Sequence, residues 1–540
     1  MQEHAQSQPA ASVPVTGQDS QGQAQLRLSR ETLKSLPCHV TVPEYDPSQV
    51  EPGIVHIGAG NFSLAHLGSF IDEVLRHDRK WGIVAVSLRS DRLISALRKQ
   101  DGLYVLVERE GSQSLPSVLA PIVETLYGPE DPSKVVAAIA DPRVKLVTLT
   151  VSNKGYHLAH GALDKESPDV AHDLAGTDSP KTIYWYLMRG LAERRKTGSP
   201  LTIMSLDNVE ENSRSLKKGL LDFIAPQQLQ LTEGDGDSNP LDLAAWIEAN
   251  VSFPVTLVDR ITPETTDEFR TAARELLGFD TTVVVGTESF TQLVVERSKF
   301  PTPPWEAAGV QVVDDCSAWW QRKFFCLNAG HQIVGIPAIR LGVTYIHQAM
   351  SHAAIASLLE RAHTEFATFL PGEPDEVSRY MAAIRRRLSD PALNDTVQRV
   401  TARTTSKVSE RVLAAVERAL AVDGKVLTVP TFVAACWLLN LGGRDEFHQE
   451  ILVADPDAEK LEGLYENVID CVRSAQGSVE NLQTDVLRSL LVRIGDTVHD
   501  ARFGRLAAVE AFVDELAWAL VQVDKLGVEQ AIAALLERAS

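Results

Sequence analysis

The sequence predicts an α/β first part, a doubly wound parallel sheet, followed by a mostly α-helical second part, and three observations carry that prediction. The 540 residues are too many for one ordinary hydrophobic core, so two large domains are expected. Up to about residue 306, short β-branched runs alternate with helix-like stretches, the pattern of parallel strands joined by crossover helices. From residue 307 the strand signals fade and long segments of helical periodicity replace them.

The first strand is Gly53-Ile54-Val55-His56-Ile57, which ends in Gly58-Ala59-Gly60 and runs into a helical stretch over residues 62–75. Further strands are expected at residues 81–88 and 144–151, with shorter candidates at 201–205 and 283–285. Helices are expected at 353–369, 377–388, 407–422 and 507–523. Residues 234–240, GDGDSNP, are a cluster of polar turn-formers and predict a surface loop. No internal repeat is visible.

Composition narrows the function classes. Hydrophobic residues make up 44% and charged residues 23%, which suits a folded enzyme. The formal charge of −20, with 52 basic residues scattered along the chain, disfavours nucleic acid and anionic lipid. In such a field any dinucleotide or sugar-acid site needs local hydrogen-bond donors. The five cysteines are far apart and form no C-x-x-C pair, a pattern that points to a reduced, cytoplasmic protein. Residues 1–25 lack the basic start and apolar core of a secretion signal and read as a flexible tail. Nowhere do about 18 apolar residues follow one another, so no membrane association is expected.

A glycine turn between a strand and a helix presents backbone N–H groups to a phosphate at the positive end of the helix dipole. Gly58, Gly60, Asn61 and Phe62 sit where that turn would bind a dinucleotide. The third glycine of the usual fingerprint is missing, so an ordinary tight turn is the alternative. The acid expected to read the ribose at the end of the second strand is also absent. Arg89 stands there instead, which suits a 2′-phosphate and keeps NADP open beside NAD.

Five segments in order resemble the mannitol dehydrogenase family of polyol-specific long-chain dehydrogenases. Gly58 to His66 resembles its G-x-G-x-F-x-x-A-H turn, and Thr150-Val151-Ser152-Asn153-Lys154-Gly155-Tyr156 its T-x-T-E-K-G-Y. Ser205-Leu206-Asp207-Asn208 is similar to S-C-D-N, and Val258-Asp259-Arg260-Ile261-Thr262-Pro263 to V-D-R-I-T-P. Lys323 through Leu327-Asn328 to His331 matches K-x-x-x-L-N-x-x-H. The resemblance covers roughly residues 26–540. Beyond the tail (1–25), it implies a Rossmann-like dinucleotide-binding domain (26–306) and a helical substrate and catalytic domain (307–540). The implied activity is NAD(P)-dependent interconversion of a sugar alcohol and a ketose without a metal. Reduction of a hexuronate such as fructuronate or tagaturonate, or oxidation of a mannitol phosphate, is the implied alternative. A dinucleotide-binding protein without turnover is the non-enzymatic reading. Oligomeric state is not legible.

Oxidising a secondary alcohol requires a base for the hydroxyl proton and donors for the oxygen. Lys323 is the expected base, provided desolvation lowers its pKa towards neutrality. By resemblance Asn208 and Asn328 hydrogen-bond the reacting oxygen, His331 orients a neighbouring hydroxyl, Asp259 binds another, and Lys154 belongs with the cofactor residues. On one continuous α-helix, at about 100° per residue, Lys323, Asn328 and His331 fall within an arc of about 140°. Each alone is better read as a surface lysine or a satisfied core group; the motif makes the set functional. Rival chemistries lack their residues. The scattered cysteines supply no zinc set, and none of the nine tyrosines has a lysine four residues later. His157 and His160 are three apart but have no third ligand nearby in the sequence. Trp320 replaces the acid that polyol members carry three residues before the lysine. That loss, with Arg322, Arg340, Lys407 and Arg411 as candidate neighbours, points towards an anionic substrate group; the same basic residues also suit solvated helix faces. Trp320, Lys407 and Arg411 are accordingly candidate substrate contacts.

Overall fold

The structure, a computed structural model, describes residues 17–18, 24–159, 161–226, 240–451, 455–475 and 477–538. It divides into two compact units, Met1–Cys316 and Ser317–Ser540.

In chain order the N-terminal unit contains β1 (Pro52–Ile57), β2 (Gly82–Ser87), β3 (Tyr104–Glu110), β4 (Gln113–Leu119), β5 (Ile122–Tyr127) and β6 (Leu146–Leu149). There follow β7 (Leu201–Ser205), β8 (Val251–Ser252), β9 (Thr256–Asp259), β10 (Val284–Glu288), β11 (Gln292–Glu296) and β12 (Gln311–Val313). The main sheet has the order β8-β7-β6-β1-β2-β5, and every pairing in it is parallel. The chain starts at β1 in the middle, builds outward through β2 and β5, then crosses back to β6 and on to β7 and β8. The doubly wound expectation is met, and the strand order reverses between β1 and β6.

Alternation along these strands feeds two cores, as the two-residue period of a strand requires. Ile54, Ile83, Ala85 and Leu146 join the core that includes Phe70, Ile71 and Val74 of the helix Leu67–His77. Val55, Ile57, Val84, Val86, Val147 and Leu149 join the core on Tyr184, Leu187 and Leu191 of the helix Ile183–Arg195. Both faces being covered, the strands read as continuous apolar runs, which is why they were visible in the sequence. The unit also contains two three-stranded sheets, β10-β3-β4 and β9-β11-β12. The sequence did not reveal β3, β4, β5, β8, β9, β11 or β12; β4, β5 and β12 are partly exposed strands of mixed polarity, and β8, β9 and β11 are short.

The helix expected over 62–75 is two helices, Asn61–Ala65 and Leu67–His77, that meet at His66. The physical reason is a carbonyl taken out of the ladder: Ala65 O accepts from the Arg260 guanidinium and from Ser69 Oγ. His66, fully buried, turns its Nε2 to the Gln292 carbonyl at 3.0 Å. The loop expected at 234–240 lies outside the described residues up to 239, and the helix Pro240–Asn250 begins at the proline. Most of the expected tail, 1–25, also lies outside them; within it Gly17–Gln18 pairs with Ala24–Gln25.

The C-terminal unit is helical. Its centre is the helix Thr428–Asn440, buried at every residue after the first. Helices Ala353–Ala367, Pro374–Leu388 and Glu510–Leu526 supply much of the surrounding apolar surface. The helix expected over 407–422 is a composite: Thr404–Lys407, a π-helical segment Val408–Leu413, and Ala414–Asp423. A second π segment, Lys323–Ala329, joins the helices Ser317–Arg322 and Gly330–Arg340. Among the described residues no helix is long and apolar enough to cross a membrane.

Candidate active site

In an open α/β sheet a ligand cleft forms at the carboxyl ends of the strands where the strand order reverses. At that place in the N-terminal unit, where β1, β2 and β6 end, lies a cavity of about 410 Å³. Its lining includes Gly58, Ser87, Arg89, Thr150, His157 and Lys181, and no carboxylate. In a chain of net charge −20 this is a local basic patch of the kind a phosphate requires.

Gly58 has φ +102°, and a Cβ there would stand 2.1 Å from the Thr150 carbonyl oxygen. Strand β6 therefore approaches the turn so closely that only glycine fits. The amides of Gly58 and Ala59 both donate to Val86 O, at 2.9 and 3.1 Å, and Gly60 N donates to Ser63 Oγ at 3.0 Å. The turn's own amides are thus committed within the fold. Asn61 Nδ2 donates to Thr265 Oγ1 at 3.0 Å, and the Phe62 ring stacks on His66 with centroids 5.0 Å apart. Gly60, Asn61 and Phe62 start the helix beside the cavity rather than line it. Below the turn His56 is buried between the hydroxyls of Thr148 and Thr150, at 2.9 and 3.1 Å, and burial depresses it to about 4.

Lys154 is exposed on the 3-10 turn Asn153–Tyr156. That turn is held by a residue to which the sequence assigned no role. The buried Asp207 accepts from Val151 N at 3.1 Å, Ser152 N at 2.8 Å and Tyr156 Oη at 2.9 Å. Burial pushes its carboxyl up, against the downward pull of those three donors. Ser152 adopts φ +62°, strained for a serine, and its own amide is held by Asp207. Asn208 follows directly and is exposed. Arg260 is the second unassigned residue. Buried, it pairs with Glu108, donates to the Glu288 carbonyl at 3.0 and 3.2 Å and reaches Ser69 Oγ at 3.0 Å. Asp259 beside it closes β9 and is buried. Both Asp207 and Arg260 stand inside the quoted motifs, next to residues with assigned roles; that adjacency was the available signal.

In the C-terminal unit Lys323 opens the π segment and is buried. The single-helix arc expected for Lys323, Asn328 and His331 is corrected here. Residues 323–329 are π-helical, so the α-helical step does not carry across them. The Trp320 ring centre lies 5.6 Å from Lys323 Nζ, a cation–π distance. Asn328 is half-buried. His331 Nδ1 lies 2.9 Å from Leu327 O, and since a carbonyl only accepts, Nδ1 carries the hydrogen and Nε2 presents its lone pair. Burial holds this imidazole near 4, so it is neutral at ordinary pH. Its buried Nε2 has no hydrogen-bond partner among the described residues; Asp395 Oδ2 is 3.8 Å away.

Asp395 joins His331 to the basic candidates. Arg399 Nε donates to it at 2.6 Å, and it is also close enough to favour the charged form of Lys407. Lys407 Nζ donates to Val400 O at 2.7 Å. Burial, then the charges of Arg411, Arg399 and Arg403, lower its pKa to about 8. Burial lowers Arg411 too. The two π segments pack against each other, which brings this basic group beside the lysine segment. Arg322 is not part of it: its Nε donates to Pro371 O at 2.8 Å, and Nη1 pairs with Glu376 at 2.7 Å. Arg340 lies near Cys436. His157 bonds Ser167 Oγ at 2.9 Å, and His160 lies outside the described residues. Among the described residues no three His, Cys, Asp or Glu side chains are grouped as a metal site needs.

Comparison with known proteins covers both units. Residues 52–307 match the model of the mannitol dehydrogenase Rossmann domain, and 315–481 that of the mannitol dehydrogenase C-terminal domain. A mannitol dehydrogenase of Saccharomyces cerevisiae is 32% identical over 511 residues, covering 91% of this chain and 98% of its own. The polyol:NADP oxidoreductase of Gluconobacter oxydans is 33% identical over 430 residues, covering 78% and 86%. Among solved structures, the mannitol 2-dehydrogenase of Pseudomonas fluorescens, a ternary complex with NAD and D-mannitol, superposes with a TM-score of 0.73 at 27% identity. That match covers 95% of this chain and all of the other. A substrate-free D-sorbitol dehydrogenase gives 0.80 at 28%, covering 94% and 100%.

Proposed function

Because the chain belongs to the mannitol dehydrogenase family, we propose that it is an NAD(P)-dependent polyol dehydrogenase that interconverts a mannitol-like sugar alcohol and its ketose, with Lys323 as general acid and base and no metal. The observation that carries the reading is Lys323 itself: a buried lysine beside an indole ring, opening a π segment that also holds Asn328 and leads to His331. Burying an ammonium is costly, and a purely structural position gains nothing from it. A bound nicotinamide would supply the hydride acceptor for the carbinol carbon in oxidation and the hydride donor in reduction. Lys323 takes the hydroxyl proton in oxidation and returns it in reduction. Asn328 and Asn208 donate to the oxygen as its charge changes. His331, with its hydrogen on Nδ1, accepts a neighbouring hydroxyl at Nε2. Asp259 binds a further hydroxyl. Gly58, Gly60, Asn61, Phe62, Arg89 and Lys154 serve the cofactor. The basic cavity beside the Gly58 turn fits its phosphates, and Arg89 in its lining leaves room for NADP as well as NAD.

A second reading has its own support. Burial, and after it the charges of Arg411, Arg399 and Arg403, depress Lys407 to about 8, and an anionic substrate group relieves the charge part of that shift. Reduction of a hexuronate, or oxidation of a mannitol phosphate, follows from that cluster. The two readings are separated by assaying mannitol, arabinitol, fructose, fructuronate and mannitol 1-phosphate with NAD(H) and NADP(H), following the absorbance of the reduced nicotinamide. Turnover of the neutral polyols supports the first reading, turnover of only the anionic substrates supports the second, and silence throughout contradicts both.

A further inference from the structure

The π segment Lys323–Ala329 is widened relative to an α-helix, and such segments recur at functional sites because they re-aim side chains at a cost in backbone hydrogen bonding. Two successive carbonyls at its C-terminal end accept from imidazoles. Leu327 O accepts from His331, discussed above. Cys326 O accepts from His363 Nε2 at 3.2 Å, reaching across from the helix Ala353–Ala367. His363 is buried, 1% exposed, and its other ring nitrogen faces Arg385 Nη1 at 3.3 Å. A guanidinium has no acceptor, so Arg385 must donate and Nδ1 must accept. That forces the single ring hydrogen onto Nε2, the atom that meets Cys326 O. Burial, the Cys326 bond opposing it, holds His363 near 4, so the neutral tautomer is the working form. Arg385 comes from a third element, the helix Pro374–Leu388, and a cavity of about 320 Å³ lined by His363, Gly372 and Arg385 lies behind the pair.

We propose that His363, its tautomer fixed by Arg385, is a positioning residue for catalysis: it holds the Cys326 carbonyl, keeps residues 323–329 in their π register, and so sets where Lys323 stands relative to Asn328 and His331. The proposal rests on the reading of Lys323 as the base, and the register part of it is testable without that reading. In the α-helical alternative the stretch would lose a one-residue offset, and Lys323, Asn328 and His331 would spread over an arc of about 140°, shifting Lys323 relative to the other two. A displacement of about 1 Å at a reacting group is enough to cost roughly a hundredfold in rate.

The test uses the full chain with the polyol it oxidises fastest. His363→Phe keeps a ring but neither hydrogen bond, and His363→Gln keeps a donor for Cys326 O. We expect faster amide exchange across residues 323–331 in His363→Phe, with exchange in the central helix Thr428–Asn440 unchanged. Its kcat should fall by about tenfold to a hundredfold with NAD(H) affinity unchanged, and the isotope effect from a deuterated carbinol carbon should rise as chemistry becomes limiting. His363→Gln should recover most of the rate. Should the Phe variant not fold, Arg385→Met, which leaves His363 in place but frees its tautomer, should show the same changes at smaller size. If kcat and the isotope effect of the folded variants stay within about twofold of the parent, the positioning role is overturned. Parent-like turnover of Lys323→Ala would instead remove the base reading and leave the exchange result to judge the register alone.

Discussion

The cofactor turn and the lysine segment solve the same problem, holding small groups still, by opposite means. At the turn the backbone does the work: a glycine at φ +102° lies against a neighbouring strand, and amides of the turn are bonded to Val86 O in the next strand. In the lysine segment side chains do it: His331 and His363 cap successive carbonyls, and Arg385 fixes a proton. A backbone device tolerates no added atom, whereas a side-chain device tolerates substitutions that keep its hydrogen bonds. The contrast teaches where each kind of change should hurt.

The largest effect is expected at the lysine. Lys323→Ala should leave NAD(H) binding, read by fluorescence titration, nearly intact while turnover falls at least about a hundredfold, the scale of general acid–base catalysis. Gly58→Val comes next and should act on the other side of the comparison. Its side chain meets the Thr150 carbonyl, and its φ is unfavourable, a strain on the order of 1–3 kcal/mol. Roughly tenfold to a hundredfold weaker NAD(H) binding, or a comparable loss of stability by denaturant titration, is the expected outcome, with little change in the exchange of residues 323–331.

The expectation at Lys407 is a pH dependence. Since its pKa is depressed to about 8, a carboxylate-bearing substrate should bind best below pH 8 and lose affinity as the pH rises through that value. Binding the anion favours the charged form, so the midpoint should move above 8 in the complex. A neutral polyol should not follow this curve. Lys407→Gln should cost about tenfold in kcat/KM on fructuronate, the worth of one charge-assisted hydrogen bond, and flatten the curve. Identical profiles for both substrates would count against the anionic reading.

Trp320→Glu should have the smallest effect. A carboxylate in place of the indole favours protonated Lys323, so polyol oxidation should need a higher pH, with kcat/KM at pH 7 reduced roughly threefold to tenfold. An anionic substrate should suffer more than a neutral one. Equal responses and an unmoved profile would mark Trp320 as packing.

The same contrast explains what the sequence disclosed. Strands β1, β2, β6 and β7 were legible because they are buried on both faces and read as continuous apolar runs. Gly58 was legible because a backbone constraint leaves a glycine. The break at His66 was not, because it depends on Arg260, nearly two hundred residues away, taking the Ala65 carbonyl. The π segments were hidden for a similar reason: Lys323–Ala329 has the composition of an α-helix, and its register is supported by His363 from another helix. Asp207 and Arg260 show the limit of motif reading. Both lie within recognised segments, yet a buried charge and an exposed one look alike until the fold supplies the partners.

The central claim is that Lys323 moves the proton, and chemical rescue tests it most directly. In Lys323→Ala the missing amine is replaced by methylamine in solution, and turnover of the polyol is followed at fixed pH. Turnover should rise in proportion to the free-base amine, and the parent enzyme should not respond. A folded Lys323→Ala protein that oxidises the polyol at the parent's rate, with or without amine, would contradict the claim.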